Sequence, residues 1–197
     1  MNVFIICIIL LIIYVIIEQT IVDSNEQWWN TKGKDNFPFK WKGKTLWYSR
    51  SVAVTNFVFG KNAEGVWHVL ANKRGNGTPD YQGYWNVPCG YLNFSECGEE
   101  AAIRETFEET GLDLKEYLHK IQMCGVSTSP SNNRQNVSIR YKIVLEEPIE
   151  NYSKFSRKFM EKDEVEEIKW IPIIDVKNYE WAFGHNAYID SIFSSIN

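Results

Sequence analysis

The stretch G-Y-L-N-F-S-E-C-G-E-E-A-A-I-R-E-T-F-E-E-T-G-L, from Gly90 to Leu112, decides how the rest of the chain is read. From Cys97 to Thr110 it holds no proline and no run of β-branched residues, and Ala101, Ala102, Arg104 and the glutamates are strong helix formers. Gly111 stands where helices commonly end in a left-handed residue. The segment is therefore predicted to be a helix that stops at Gly111. At about 100° per residue, Glu105, Glu108 and Glu109 share roughly a third of the circumference, with Ile103 and Phe107 on the opposite side. One face is apolar and suited to docking on a sheet, while the other gathers carboxylates. Like charges on one helix face repel and cost stability. A hard divalent cation removes that cost, because carboxylate oxygens are the ligands that Mg²⁺, Mn²⁺ and Ca²⁺ prefer. On this helix alone, a metal-binding face and a solvated acidic face fit equally well.

Working outward, Ser51 to Phe59 is a β-branched and aromatic run that reads as a buried strand. A turn at Gly60 to Gly65 and a second strand over Val66 to Asn72 make a hairpin. Gly75 to Gly83 is a loop, and Tyr84 to Tyr91 is a short strand that runs into the helix segment. Beyond the helix, Leu118 to Ser127 and Val137 to Glu146 read as strands around a polar loop at Ser129 to Asn133. An acidic turn at Glu161 to Glu167 feeds a strand over Ile168 to Ile171. Asn186 to Ile196 reads as an amphipathic helix with Ile189, Ile192, Phe193 and Ile196 inward. This order predicts an α+β fold, a mixed β-sheet flanked by helices in an α/β/α sandwich.

The opening stretch resembles the Nudix box, G-x5-E-x7-R-E-U-x-E-E-x-G-U with U a bulky apolar residue. Gly90, Glu96, Arg104, Glu105, Glu108, Glu109, Gly111 and Leu112 match, and Thr106 departs from the first apolar position. W-Y-S-R-S-V-A-V before the box, G-Y-W-N-V-P-C-G leading into it, E-V-E-E-I-K-W-I-P-I behind it and A-F-G-H near the end are also similar to the family, so the resemblance spans roughly Trp47 to the carboxyl terminus. It implies a Nudix-like sandwich and divalent-metal-dependent hydrolysis of the diphosphate link in a nucleoside diphosphate joined to another moiety. An mRNA-decapping enzyme and a non-catalytic nucleotide-sensing module are the alternatives.

Carried over position by position, the resemblance makes Glu105 and Glu109 the metal ligands, with the Gly90 carbonyl joining them and Mg²⁺ or Mn²⁺ as the cofactor. Glu108 is the candidate for orienting or deprotonating the attacking water while also touching a metal. Arg104 would pair with Glu96 or Glu105 and fix its orientation. The general base of the family varies, so Glu161, Glu164, Glu166 and Glu167 are also candidates. Substrate selectivity lies outside the box. Arg50 and Arg74 are candidates for a phosphate, and Tyr84, Tyr81, Trp47, Tyr48, Trp181 and Phe183 for a nucleobase. His185 reads as a cap of the last helix, or as a base or ligand. Cys97 replaces a favourable helix cap, which weakens the start by about 1 kcal/mol. Cys89 takes a position that is often glycine and reads as a small buried residue.

Charged residues make up 23% of the 197 and aromatics 15%, which excludes a compositionally disordered chain. The net charge of −4 gives no general pull toward nucleic acid. The four cysteines include Cys7 in an apolar run, leaving an odd number for the domain and no disulfide framework. That run, Val3 to Ile17, reads first as a single-pass transmembrane anchor, with a cleaved signal segment as the alternative. The expected organisation is an anchor or signal over residues 1–22, a juxtamembrane linker over 23–46 and the catalytic domain over 47–197. Lysines at positions 32 and 34 follow the apolar run and nothing basic precedes it, so the domain is expected in the cytosol, or secreted if the segment is cleaved.

Overall fold

Alternate residues of the apolar run after Arg50 serve two different cores. In the computed structural model, which describes residues 12–14, 37–129, 136–152 and 163–196, strand β3 spans Val52–Lys61. Phe57 and Phe59 pack on one face of the sheet with Val69, Ala71 and Ile171, while Val58 packs on the other with Leu70, Ile103 and Ile143. A strand covered on both faces reads as a continuous apolar run rather than an alternating one.

The remaining strands are β4 (Trp67–Arg74), β5 (Trp85–Asn86), β6 (Cys89–Tyr91), β7 (Gln122–Ser127), β8 (Val137–Val144) and β9 (Val165–Pro172). Together with β3 they form one seven-stranded sheet of order β5-β4-β3-β8-β7, with β6 added to β3 and β9 to β4. β3 runs parallel to β8 and antiparallel to β4, so the sheet is mixed as expected. The expected strand over Tyr84 to Tyr91 divides into β5 and β6 at Pro88, and the expected strand over Leu118 to Ser127 begins with a 3-10 turn at Lys115–Lys120. Helix α1 (Gly98–Thr110) covers one face and helix α2 (His185–Phe193) the other. Ile189 and Ile192 of α2 are buried, with Phe193 and Ile196 packed against the same cluster.

One feature of the pairing positions the site. β3 meets β4 only at Phe59–Lys61 against Trp67–Val69. Beyond that point β4 turns to pair with β5 through Asn72 and Lys73, and β3 takes β6 instead. The sheet opens there, and the loop into α1 starts from its edge.

Residues 1–49 and 50–197 form two separate units. The first contains an antiparallel hairpin, β1 (Phe37–Trp41) and β2 (Lys44–Tyr48), joined by a turn with positive φ at Lys42 and Gly43. Part of the expected linker is therefore a hairpin, and the second unit begins at Arg50 rather than Trp47. Most of the apolar run at residues 3–17 and the rest of the linker lie outside the described residues. Ile12–Tyr14 are helical, and among the described residues no helix is long and apolar enough to cross a membrane.

Candidate active site

α1 starts where a serine or aspartate cap is missing. The Glu100 carboxylate compensates by accepting the Cys97 backbone N–H at 2.9 Å, satisfying one group that the helix start leaves open. Gly98 follows because a Cβ there would collide with the Tyr141 hydroxyl on β8. At the other end Gly111 has φ 72°, and its N–H reaches the Phe107 carbonyl at 2.7 Å. The buried side is Ala101, Ala102, Ile103, Thr106 and Thr110, whereas Phe107 is only half-buried. Thr106, which departs from the apolar pattern, is fully buried and accepts a hydrogen bond from Asn56 Nδ2 at 2.9 Å. Its hydroxyl donates to the Ala102 carbonyl at 2.7 Å. A polar residue is tolerated here because β3 supplies its partner.

The acidic face of α1 is organised by Arg104. Its Nε donates to Glu96 Oε2 at 2.8 Å and its Nη2 to Glu96 Oε1 at 2.6 Å, a two-pronged pair that ties the loop to the helix. Nη1 donates to Glu105 and to Glu108, each at 2.7 Å, and Nη2 also reaches the Tyr91 carbonyl at 2.9 Å. These bonds to Glu96 first, then to Glu105 and Glu108, hold the guanidinium above its already high ordinary range. The same partner holds Glu96 below the usual carboxylate range.

Glu105 and Glu109 behave oppositely. Burial pushes Glu105 upward, against the pull of Arg104. Burial, and then the nearby Glu105 charge, push Glu109 well above the ordinary carboxylate range. Glu109 Oε2 accepts the Cys89 N–H at 3.1 Å, so it is pinned to the strand before the box glycine. Gly90 lies against Glu105 so closely that a Cβ would collide with its carboxylate. Glu108 is the open member of the set, with 44% of its side chain exposed against 12% for Glu105.

These groups lie in a cleft of about 590 Å³ where the sheet opens. Arg74 lines it, its Nε and Nη2 bonded to Asp80 at 3.0 and 2.9 Å and its guanidinium 4.9 Å from the Phe183 ring centre. Phe183 has φ 60°, an uncommon conformation for a bulky residue, and Tyr81 stands edge-on to it at 5.0 Å. Tyr84 packs edge-on to Tyr81 and is not part of the lining. Arg50 is also outside the lining, committed to the carbonyls of Thr128 and Asn136 at 2.6 and 2.7 Å. Trp181 belongs to the core, with its Nε1 bonded to the Val176 carbonyl at 2.8 Å. Tyr48 lies in the hairpin of the first unit.

Of the downstream glutamates, Glu164 lines the cleft, Glu166 pairs with Lys73 at 2.8 Å, Glu167 is exposed outside the lining, and Glu161 lies outside the described residues. His185 does not cap α2; Gly184 does, in a left-handed conformation. The imidazole is instead buried in the cleft wall, where Nδ1 accepts the Val87 N–H at 3.2 Å. In the neutral ring that bond leaves the proton on Nε2. Cys89 lines the cleft as a thiol whose ionisation is opposed by burial and then by Glu109, in keeping with a small packing residue. Sequence reasoning missed Asn72, Arg140 and Tyr188, all in the lining. Their only signal was a position on a strand or helix face, which many residues share.

The donor set fits a hard divalent cation. Its side-chain oxygens belong to carboxylates, two of them desolvated and unfavourable as bare charges, and the glycine leaves no side chain between backbone and carboxylate. Asn72 adds a buried Oδ1 in the cleft wall that has no hydrogen-bond partner among the described residues, an acceptor suited to a bound water or hydroxyl. Among the described residues no His, Cys, Asp and Glu side chains close on a point as a ready-made cage, since Arg104 draws Glu105 and Glu108 toward itself.

Comparison with known proteins agrees with this architecture. A search of curated proteins finds no match. The NUDIX domain of Shewanella oneidensis NrtR, solved in complex with ADP ribose, superposes with a TM-score of 0.61 at 19% identity, covering 76% of this chain and 90% of that one. A mutT/nudix family protein from Listeria innocua gives a TM-score of 0.56 at 24% identity, covering 76% and 95%. The Nudix hydrolase RenU from M. smegmatis gives 0.54 at 17% identity, covering 83% and 95%. At these identities the likeness is one of fold. The family model for the NUDIX domain matches residues 49–191, most of the chain and all of the site, and the chain therefore belongs to the Nudix hydrolase family.

Proposed function

We propose that this protein hydrolyses the diphosphate link of a nucleoside diphosphate joined to another moiety, with Mg²⁺ or Mn²⁺ held by Glu105, Glu109, Glu108 and the Gly90 carbonyl. The observation that carries this reading is the desolvated pair Glu105 and Glu109, packed against Gly90 and Cys89 at the opening of the sheet. Folding alone gains nothing from such a pair, because two nearby buried carboxylates repel and are costly to ionise. Bound ions would neutralise the anionic diphosphate and acidify the attacking water.

The chain's own residues do the rest. Glu108 is exposed toward the cleft and accepts a hydrogen bond from Arg104, so one of its oxygens is held while the carboxylate faces water. It is the best placed of the acidic set to take a proton from the nucleophile. Arg104 and Glu96 are positioning residues, locking Glu105 and Glu108 and fixing the loop from Tyr91 to Glu96. Arg74, steadied by Asp80 and stacked on Phe183, directs its remaining N–H groups to a phosphate oxygen.

ADP ribose, the ligand of the Shewanella NrtR domain, belongs to this class of compounds and is the first to test. The full chain is expected to release a nucleoside monophosphate from one or more members of a panel of ADP ribose, nucleotide sugars and dinucleoside polyphosphates, with Mg²⁺ or Mn²⁺ and not in EDTA. Absence of turnover across that panel with both metals would count against the proposal.

A further inference from the structure

Arg140 lies on the face of the sheet turned away from the carboxylates. Its neighbour Tyr141 packs against Ala101 and Ala102 of α1, whereas the Arg140 guanidinium lies 4.2 Å from the ring centre of Tyr188 on α2. The backbone makes room for it. β7 carries a bulge between Met123 and Gly125, and Gly125 is the residue opposite Arg140. A Cβ at Gly125 would come within 3.1 Å of Arg140 Nη2.

Strand register then surrounds this cation with hydroxyls. Thr55 pairs with Arg140 across β3 and β8, Ser138 lies two residues along β8, and Ser127 pairs with Ser138 across β7. Paired residues point to the same side of a sheet, so Thr55, Ser127, Ser138 and Arg140 share one face, and all line the cleft. The box carboxylates belong to α1 on the other face. Arg140 makes no ion pair among the described residues. Arg74, the other arginine stacked on an aromatic ring in this cleft, has its carboxylate in Asp80.

We propose that Arg140, seated on Tyr188, forms a second anion subsite that selects substrates carrying a phosphomonoester in addition to the diphosphate under attack. This rests on the hydrolase reading and names the substrate class within it. A guanidinium held over an aromatic ring, as Arg140 is over Tyr188 at 4.2 Å, spends no N–H on a protein acceptor there, and its planar fork matches two phosphate oxygens at once. The serine and threonine hydroxyls supply further donors, and no metal is needed. The phosphomonoester is distinct from the scissile diphosphate because the carboxylates that hold the ions project from the opposite layer.

The test is calorimetric binding to the full chain in EDTA, using adenosine 5′-monophosphate, adenosine 2′,5′-bisphosphate and adenosine 3′,5′-bisphosphate, with inorganic phosphate as a control. At least one bisphosphate is expected to bind about tenfold or more tightly than the monophosphate. Arg140→Gln should bring the two within about twofold of each other with an unchanged unfolding midpoint, and Arg140→Lys should restore part of the difference. The proposal fails if neither bisphosphate binds more tightly than the monophosphate. It fails equally if Arg140→Gln weakens all three nucleotides alike, the result for a residue that reads the base or supports the fold. Inorganic phosphate binding as tightly as the bisphosphate would also overturn it, marking a free-anion site. Because no turnover is needed, a failure of hydrolysis leaves this measurement intact.

Discussion

Glu109→Gln should make the metal-free protein more stable and the enzyme inactive. Glutamine keeps an oxygen to accept the Cys89 N–H, which Glu109 accepts at 3.1 Å. It removes the buried charge that faces Glu105. The folded-state pKa of Glu109 is raised from an ordinary value of 4.5, so folding favours the protonated form. Its contribution to stability is complete below that ordinary value and is lost as pH rises through the raised one. Each unit of upward shift costs about 1.4 kcal/mol once the group is ionised. In EDTA the variant and wild type should therefore melt together near pH 4.5. At pH 8 the variant should be more stable by about 1.4 kcal/mol or more, roughly 3–6 °C for a domain of this size. Saturating Mg²⁺ should reverse the order by stabilising wild type alone. Turnover of the best substrate should fall about 100-fold or more, equivalent to about 2.7 kcal/mol in the barrier. Scanning fluorimetry at the two pH values, with and without metal, and a steady-state rate provide the readouts. A variant that is less stable than wild type at pH 8 in EDTA, or that turns over normally, would refute the account of this carboxylate.

Gly90→Ala should lower turnover at least about tenfold while the far-ultraviolet circular dichroism stays native, because the new methyl displaces the Glu105 carboxylate; overpacking of this kind costs about 1–3 kcal/mol of stability in urea unfolding. Thr106→Val nearly preserves shape but takes the 2.9 Å partner of buried Asn56 Nδ2 and leaves it the Ala102 carbonyl at 3.4 Å, so a loss of about 1 kcal/mol is expected, and an unchanged urea midpoint would show that the bond contributes nothing.

The fold was legible wherever periodicity and end signals agreed. The helix from Gly98 to Thr110 ends at Gly111 because a left-handed glycine closes it, and the β3–β4 hairpin follows from two apolar runs around a turn. The hairpin at Phe37–Tyr48 escaped because only its first strand alternates, Phe37, Phe39 and Trp41 against Pro38 and Lys40, while Lys44–Tyr48 does not, and its turn lies at Lys42–Gly43 rather than at a recognised pair such as Asn-Gly. The apolar side of α1 was only half legible. Ile103 is buried, but the fully buried partner across the next turn is Thr106, whose match is an asparagine on a strand 50 residues earlier. No local pattern reveals such a long-range pair.

The box itself identified the acidic set, since its spacing places those residues on one helix face. The recognition side was less accessible. Arg74 lies in the cleft and Arg50 is used to hold two carbonyls, a distinction set by strand register rather than by residue type. Arg140 gave no signal because its surroundings are assembled from β3, β7, β8 and α2.

The five donor contacts of Arg104 have a practical consequence for handling the protein. With Glu96, Glu105 and Glu108 already gathered by an internal cation, the loop from Tyr91 to Glu96 and the helix stay joined without help from solution. A divalent ion is then an exchangeable reagent rather than a strut. Stripping it with a chelator should leave a folded protein that can be reloaded with a different metal, so the same preparation can be used to compare metals one after another.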